Sequence, residues 1–173
     1  MTDPRDKPLP APRLETFEEV AKRFPELDPA AMHAYVVLRR AEVRLSAALD
    51  AQLARHGLSF GRYLLLVNLI RADGHSLTPA QLSGLCGNTR ATVTGLVDTL
   101  EKSGYVVREE DPADGRSVQV RLTLTGRRFL EGMLPDHFRR LMKMMSAFTP
   151  DELQTLERLG EKLMAGVAAL EEP

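Results

Sequence analysis

Two short segments carry side chains suited to gripping a polyanion. The first is Asn88–Lys102, where the hydroxyls of Thr89, Thr92 and Thr94 and the guanidinium of Arg90 stand among Ala91 and Gly95. On a helical wheel Val93, Leu96, Val97 and Leu100 share one face at the i, i+3, i+4, i+7 spacing of a buried stripe. Ala91, Thr94, Gly95 and Asp98 fall opposite, with Thr92 on the flank. An exposed face this small fits deep in a major groove about 12 Å wide. The first-turn amides of Asn88, Thr89 and Arg90 suit a phosphate. The second segment is Asp114-Gly115-Arg116. An arginine beside a hairpin turn suits a narrow minor groove, whose negative potential favours a cation. Asp114 can hold that guanidinium through a charge-assisted bond. Taken singly, each segment also fits a plainer account: an amphipathic helix, and a surface ion pair of small energetic value.

The remaining reactive side chains suggest less. Cys86 is the single cysteine, so no internal disulfide or cysteine metal cluster is available. It lies in Leu82-Ser83-Gly84-Leu85-Cys86, without a basic neighbour in sequence to lower its pKa, and is expected to pack as a small apolar residue. The histidines, His33, His56, His75 and His137, form no HxxxH pair and have no cysteine partner, so no metal is expected. There is no GxSxG, no HExxH and no glycine-rich phosphate loop. The expectation is a protein that is not an enzyme and needs no cofactor.

The elements that must position these residues follow from caps and breakers. Residues 1–13 hold four prolines and read as a solvated tail. Thr16 and Glu19 have capping-box form and predict a helix over about 17–24, stopped by Pro25. Asp28-Pro29 starts a long helix that nothing breaks before Gly57. Its apolar residues cover more than one face, so it needs more than one partner. Ser59 caps a helix over 60–72, where the run Tyr63–Val67 resembles a strand but its flanks favour helix. Thr78-Pro79-Ala80-Gln81 opens a short helix over 79–85, and Asn88 caps the next, over 89–102. Gly104 stands at the left-handed C-cap position. Period then changes: Val118, Val120 and Leu122 alternate with polar residues, predicting a strand paired with 105–109 across Asp111–Gly115. Thr123 caps a helix that Pro135 should kink or split, and Thr149-Pro150-Asp151-Glu152 opens a last one over 150–170. Two helices around a short turn, followed by a hairpin, make a winged helix-turn-helix. The fold class is mostly α (α+β), with long N- and C-terminal helices for dimerisation.

With both segments placed in that order, the stretch Asn88–Val106 resembles the recognition helix and following turn of the MarR family of bacterial transcriptional regulators. Asp114-Gly115-Arg116 with Leu122-Thr123-Leu124-Thr125-Gly126 resembles the family's wing signature, Asp-x-Arg followed by Leu-Thr-x-x-Gly. The resemblance spans about 50 positions, residues 78–126; the helical arms match in length and order but not by motif. It implies DNA contacts from Thr78, Asn88, Thr89, Arg90, Thr92, Thr94, Arg108, Asp114, Arg116 and Ser117. Arg116 becomes a minor-groove finger with Asp114 as its orienter, and Arg108 an added phosphate contact at the base of the wing. Many relatives carry an arginine where Gly95 stands, so the resemblance implies that base readout here is either weaker or falls to Arg90. Relatives that sense peroxide carry their cysteine near the start of the long first helix, and this one has none there.

Composition bounds the rest. The chain has 173 residues with 23 Lys+Arg against 24 Asp+Glu, which excludes a basic-tail binder but not one acting through a few placed residues. The N-terminus lacks the apolar core of a signal peptide, and no apolar run approaches the ~20 residues of a membrane span. A cytoplasmic protein without membrane partners is expected. The expected organisation is a tail over 1–13, N-terminal dimerisation helices over 14–58, a DNA-binding domain over 59–126 and C-terminal dimerisation helices over 127–173. The expected partners are double-stranded DNA, a second copy, and a small aromatic or phenolic effector. Tyr35, Arg39, Tyr63, Val67, Met133 and His137 mix apolar walls with a few polar groups, as small-molecule pockets do, though core packing would account for them equally. Two other functions stay open: a winged-helix protein adaptor, which should display aromatic anchors, and a thiol-based redox sensor using Cys86.

Overall fold

The computed structural model describes residues 11–110 and 118–170, and the chain divides into two compact units, residues 1–63 and 64–173. In the first unit α1 (Leu14–Ala21) folds against α2 (Pro29–Ala54), with the rings of Phe17 and His33 6.1 Å apart. Asp28 caps α2 as its sequence predicts, its carboxylate accepting from the Ala30 and Ala31 amides at 2.8 and 3.1 Å. α1 differs from expectation. It begins at Leu14 with Arg13 in the cap position and no side-chain cap, so the Thr16–Glu19 box is not used. Leu14 and Glu15 are good helix formers, and nothing breaks the helix until Pro12 upstream.

α3 (Phe60–Arg71) contains the unit boundary and buries Leu65, Leu66 and Leu69. The ambiguous run at 63–67 is therefore helical. A 3-10 turn at Asp73–His75 leads to β1 (Ser76–Leu77), a strand too short to leave a period in the sequence. Then come α4 (Pro79–Cys86), α5 (Arg90–Lys102), β2 (Val106–Glu110), β3 (Val118–Leu122), α6 (Leu124–Met145) and α7 (Pro150–Gly166). The sheet is antiparallel in the order β1-β3-β2, with Val106 opposite Leu122 and Arg108 opposite Val120. Leu82, Val93, Val97, Leu100, Val106, Val120, Leu122, Leu130 and Met133 are buried in this second unit.

α6 is a single helix; Pro135 does not split it. A proline inside a helix removes one backbone hydrogen bond and costs about 3 kcal/mol. Burial of Leu130 and Met133 before it and His137 after it offsets that cost. The start of α6 is tied down closely. The Thr123 amide donates to the Tyr105 carbonyl at 3.0 Å, the Thr123 hydroxyl donates to the Gly104 carbonyl at 2.7 Å, and Tyr105 stacks on Phe129 at 4.4 Å. A Cβ on Gly126 would lie 2.2 Å from the Tyr105 carbonyl oxygen, so this approach requires glycine. Among the described residues no helix is long and apolar enough to cross a membrane.

Candidate nucleic-acid interface

The helix-turn-helix is built from α4, the turn at Gly87, and α5. Thr78 closes a full capping box: the Gln81 amide donates to its hydroxyl at 3.2 Å, and its own amide donates to Gln81 Oε1 at 2.8 Å. Thr78 is thus committed to starting α4. Gly87 turns the chain at φ +62°. Asn88, expected to cap α5, instead braces the turn. Its amide donates to the Ser83 carbonyl at 3.2 Å, its side-chain nitrogen to the Cys86 carbonyl at 3.2 Å, and its carbonyl accepts from the Ser83 hydroxyl. Thr89 is the cap, its hydroxyl accepting from the Thr92 amide at 3.2 Å. Either residue type can cap a helix, and the tight turn consumes Asn88. Of the three amides expected to await a phosphate, that of Asn88 is spent.

α5 presents the two faces that its sequence predicts. Val93, Val97 and Leu100 are buried and Leu96 is half-buried, while Arg90, Ala91, Thr92, Thr94, Gly95 and Asp98 are exposed. The Thr94 hydroxyl donates to the Arg90 carbonyl at 3.0 Å, and the Thr89 and Thr92 hydroxyls lie 2.9 Å apart. All three threonines are exposed, and a hydroxyl keeps further acceptor capacity beyond one such bond. The face holds no aromatic residue and no large apolar one.

The wing strands sort their side chains by parity. Val106, Arg108, Val120 and Leu122 lie on one face; Glu109, Gln119 and Arg121 lie on the other. On the outer face Arg121 pairs with both oxygens of Glu109, Nε to Oε2 at 2.6 Å, and holds that carboxyl below its ordinary range through this hydrogen bond. Ser76 of β1 hydrogen-bonds Gln119 at 2.5 Å. On the inner face Arg108 turns toward α5. Its guanidinium meets Asp98 Oδ1 at 2.6 Å and Glu101 Oε2, and its amide donates to Glu101 Oε1 at 3.1 Å. Burial lowers its pKa, but the hydrogen bonds it donates to Asp98 and Glu101 outweigh that and raise it. The expectation of a phosphate contact from Arg108 therefore meets a guanidinium already engaged by two carboxylates. Parity with Val106 and Val120 is the sequence signal that would have shown it. Asp114, Arg116 and Ser117 lie outside the described residues.

The six expected effector contacts fall in both units. In the first, Tyr35 is exposed on α2, Arg39 is paired with Glu42 at 2.9 Å, and Tyr63 is half-buried, its phenol pushed up in pKa by burial. In the second, Val67 is half-buried while Met133 and His137 are each 3% exposed. Cys86 is half-buried rather than fully packed; burial raises its pKa, against a weaker opposing contact from the Asn68 side chain at 3.7 Å. Among the described residues no cluster of His, Cys, Asp and Glu could hold a metal ion.

A family model described as the MarR family matches residues 56–117. The chain is 31% identical over 123 residues to the transcriptional repressor MprA of Escherichia coli K12, covering 71% of this chain and 70% of that one. It resembles the crystal structure of Sco3205, a MarR family transcriptional regulator from Streptomyces coelicolor in complex with DNA, with a TM-score of 0.77 and 27% identity, covering 82% of this chain and 89% of that one. It also resembles BpsR of Bordetella bronchiseptica, whose DNA binding is described as regulated by 6-hydroxynicotinic acid, with a TM-score of 0.66 and 25% identity, covering 74% and 90%.

Proposed function

Because the chain belongs to the MarR family of transcriptional regulators, we propose that it is a homodimeric repressor that binds a pseudo-palindromic DNA site and leaves it when a small aromatic or phenolic effector binds. The observation that carries the DNA half is the face of α5. A capped helix buries Val93, Val97 and Leu100 and displays Arg90, Ala91, Thr92, Thr94 and Gly95. That combination admits a helix to a major groove and puts hydroxyls and one cation at its mouth. Thr92 and Thr94 are assigned to base edges, and Arg90 with the first-turn amides of α5 to a phosphate. Arg116, oriented by Asp114 and flanked by Ser117, is assigned to the adjacent minor groove. The absence of aromatic side chains from the α5 face argues against a protein adaptor.

Two helices support the dimer. α7 buries no residue and exposes Leu156, Leu159, Leu163 and Met164; α2 exposes Tyr35, Val37, Val43 and Leu45 and buries only Leu53. Apolar surface on this scale marks an interface. A two-fold dimer presents two recognition helices to half-sites about one helical turn apart. The effector class is supported by BpsR and its aromatic hydroxy acid, and by Tyr35 and Arg39, which are accessible on α2 and suit an anionic ring. Recovery of bound sites from random DNA, repeated with phenolic and aromatic acids, tests the whole proposal. Recovery of a palindromic site that the acids release supports it. Salt-insensitive or absent DNA binding, or a monomer by light scattering at micromolar concentration, overturns it.

A further inference from the structure

α5 must approach a polyanion, yet the half of the helix beyond its small-residue face carries two carboxylates, Asp98 and Glu101. Their side chains keep 51% and 37% of their exposure, so both are in reach of the solvent that DNA would replace. Arg108 of β2 covers both at once. Its side chain is only 30% exposed, and it reaches Asp98 Oδ1 at 2.6 Å, Glu101 Oε2, and the Thr94 carbonyl at 3.5 Å. Glu101 in turn grips the Arg108 amide with its second oxygen, at 3.1 Å. The planar fork of a guanidinium allows one side chain to serve several acceptors on two turns of a helix.

Resting on the DNA-binding reading above, we propose that Arg108 is a positioning residue for DNA recognition: it acts through Asp98 and Glu101, masking their charge and holding the wing strand to α5, and does not contact phosphate. Without it the helix would bring two bare carboxylates toward the phosphate backbone, and the first wing strand would keep its bond from the Arg108 amide to Glu101 but lose the guanidinium contacts to Asp98, Glu101 and the Thr94 carbonyl. A protein with balanced total charge that binds DNA through few residues is sensitive to each uncovered negative charge at the interface.

The test is Arg108→Met in the full-length protein, made both in the native background and together with Asp98→Asn and Glu101→Gln. DNA affinity is measured across a salt series alongside melting temperature. In the native background Arg108→Met is expected to cost about tenfold or more at low salt, a deficit that closes as salt screens the exposed carboxylates. In the Asp98→Asn/Glu101→Gln background the same change should cost less than about threefold, because nothing is left to mask. Arg108→Lys, which keeps the cation, should retain most of the affinity. An equal loss in both backgrounds would mean a direct phosphate contact and would overturn the proposal. A loss independent of salt that tracks a fall in melting temperature would mean a role in folding alone, and would overturn it equally. Wild-type protein that binds no DNA would show in the first titration and would sink the DNA-binding reading itself.

Discussion

Gly126→Ala is the sharpest probe of how the wing joins the helix that follows it. The added Cβ would stand 2.2 Å from the Tyr105 carbonyl oxygen and 2.9 Å from Leu122 Cδ1. The nearer contact is about 1 Å inside normal separation, and its partner is backbone, which cannot rotate away. Relief requires the start of α6 to move outward, which strains the bond from the Thr123 amide to that same carbonyl, now 3.0 Å. Overpacking of this kind costs about 1–3 kcal/mol, and a weakened, half-buried hydrogen bond adds about 1 kcal/mol. Alanine's better helix propensity returns up to about 1 kcal/mol. The net loss is about 1–4 kcal/mol, and at about 2–4 °C per kcal/mol for a chain of this size the melting temperature should fall by roughly 2–16 °C. Gly132, on the same helix with nothing within 4 Å of its would-be Cβ, is the internal control. Gly132→Ala should be neutral or should raise the melting temperature by a few degrees, about 0.5–1 kcal/mol. Thermal unfolding followed by far-ultraviolet circular dichroism on both variants decides the matter. If Gly126→Ala melts at or above wild type, the close approach at Tyr105 is not the constraint described.

Thr92→Ala should alter preference at one or two base pairs by about 1–3 kcal/mol each, whereas Arg116→Ala should weaken binding to every sequence; competition binding against a panel of single-base variants separates them. Thr149→Ala should destabilise by about 1 kcal/mol through loss of the α7 cap, read by denaturant unfolding. The Thr149 amide, then its hydroxyl, hold the Glu152 carboxyl below its ordinary range. That contribution to stability is present above the unfolded carboxylate value near ~4.3 and is lost as pH falls through the lower folded value. Glu152→Gln should therefore unfold with a shallower dependence on pH than wild type below about pH 4. Cys86→Ser should leave DNA affinity and its response to peroxide unchanged, since burial raises the thiol's pKa and so disfavours the reactive thiolate; release of wild type but not of the serine variant by peroxide would show a redox role.

The order of the elements was legible in the chain because punctuation there is strong. Asp28-Pro29, Thr78-Pro79 and Thr149-Pro150 each stop one conformation and start another at a defined residue, and the structure begins α2, α4 and α7 there. The face of α5 was legible too, since Val93, Val97 and Leu100 repeat with a period that a helix alone accommodates. Local pattern was silent on β1, a strand of two residues whose pairing partner lies more than forty positions away, with Leu77 opposite Val120. It was also misleading where two residues competed for one role. Asn88 and Thr89 are both good caps, and only the tight turn after α4 spends the asparagine. Pro135 signals a break, and burial on both sides of it keeps α6 whole. The charge of Arg108 marks it in sequence as a hand for phosphate. Its place across the sheet from Val120 turns it inward, where Asp98 and Glu101 are its nearest acceptors. Sequence determines which groups a chain carries and where its local structure starts and stops. Which of those groups remain available to a partner is decided when elements distant in sequence pack and satisfy one another's charges and hydrogen bonds.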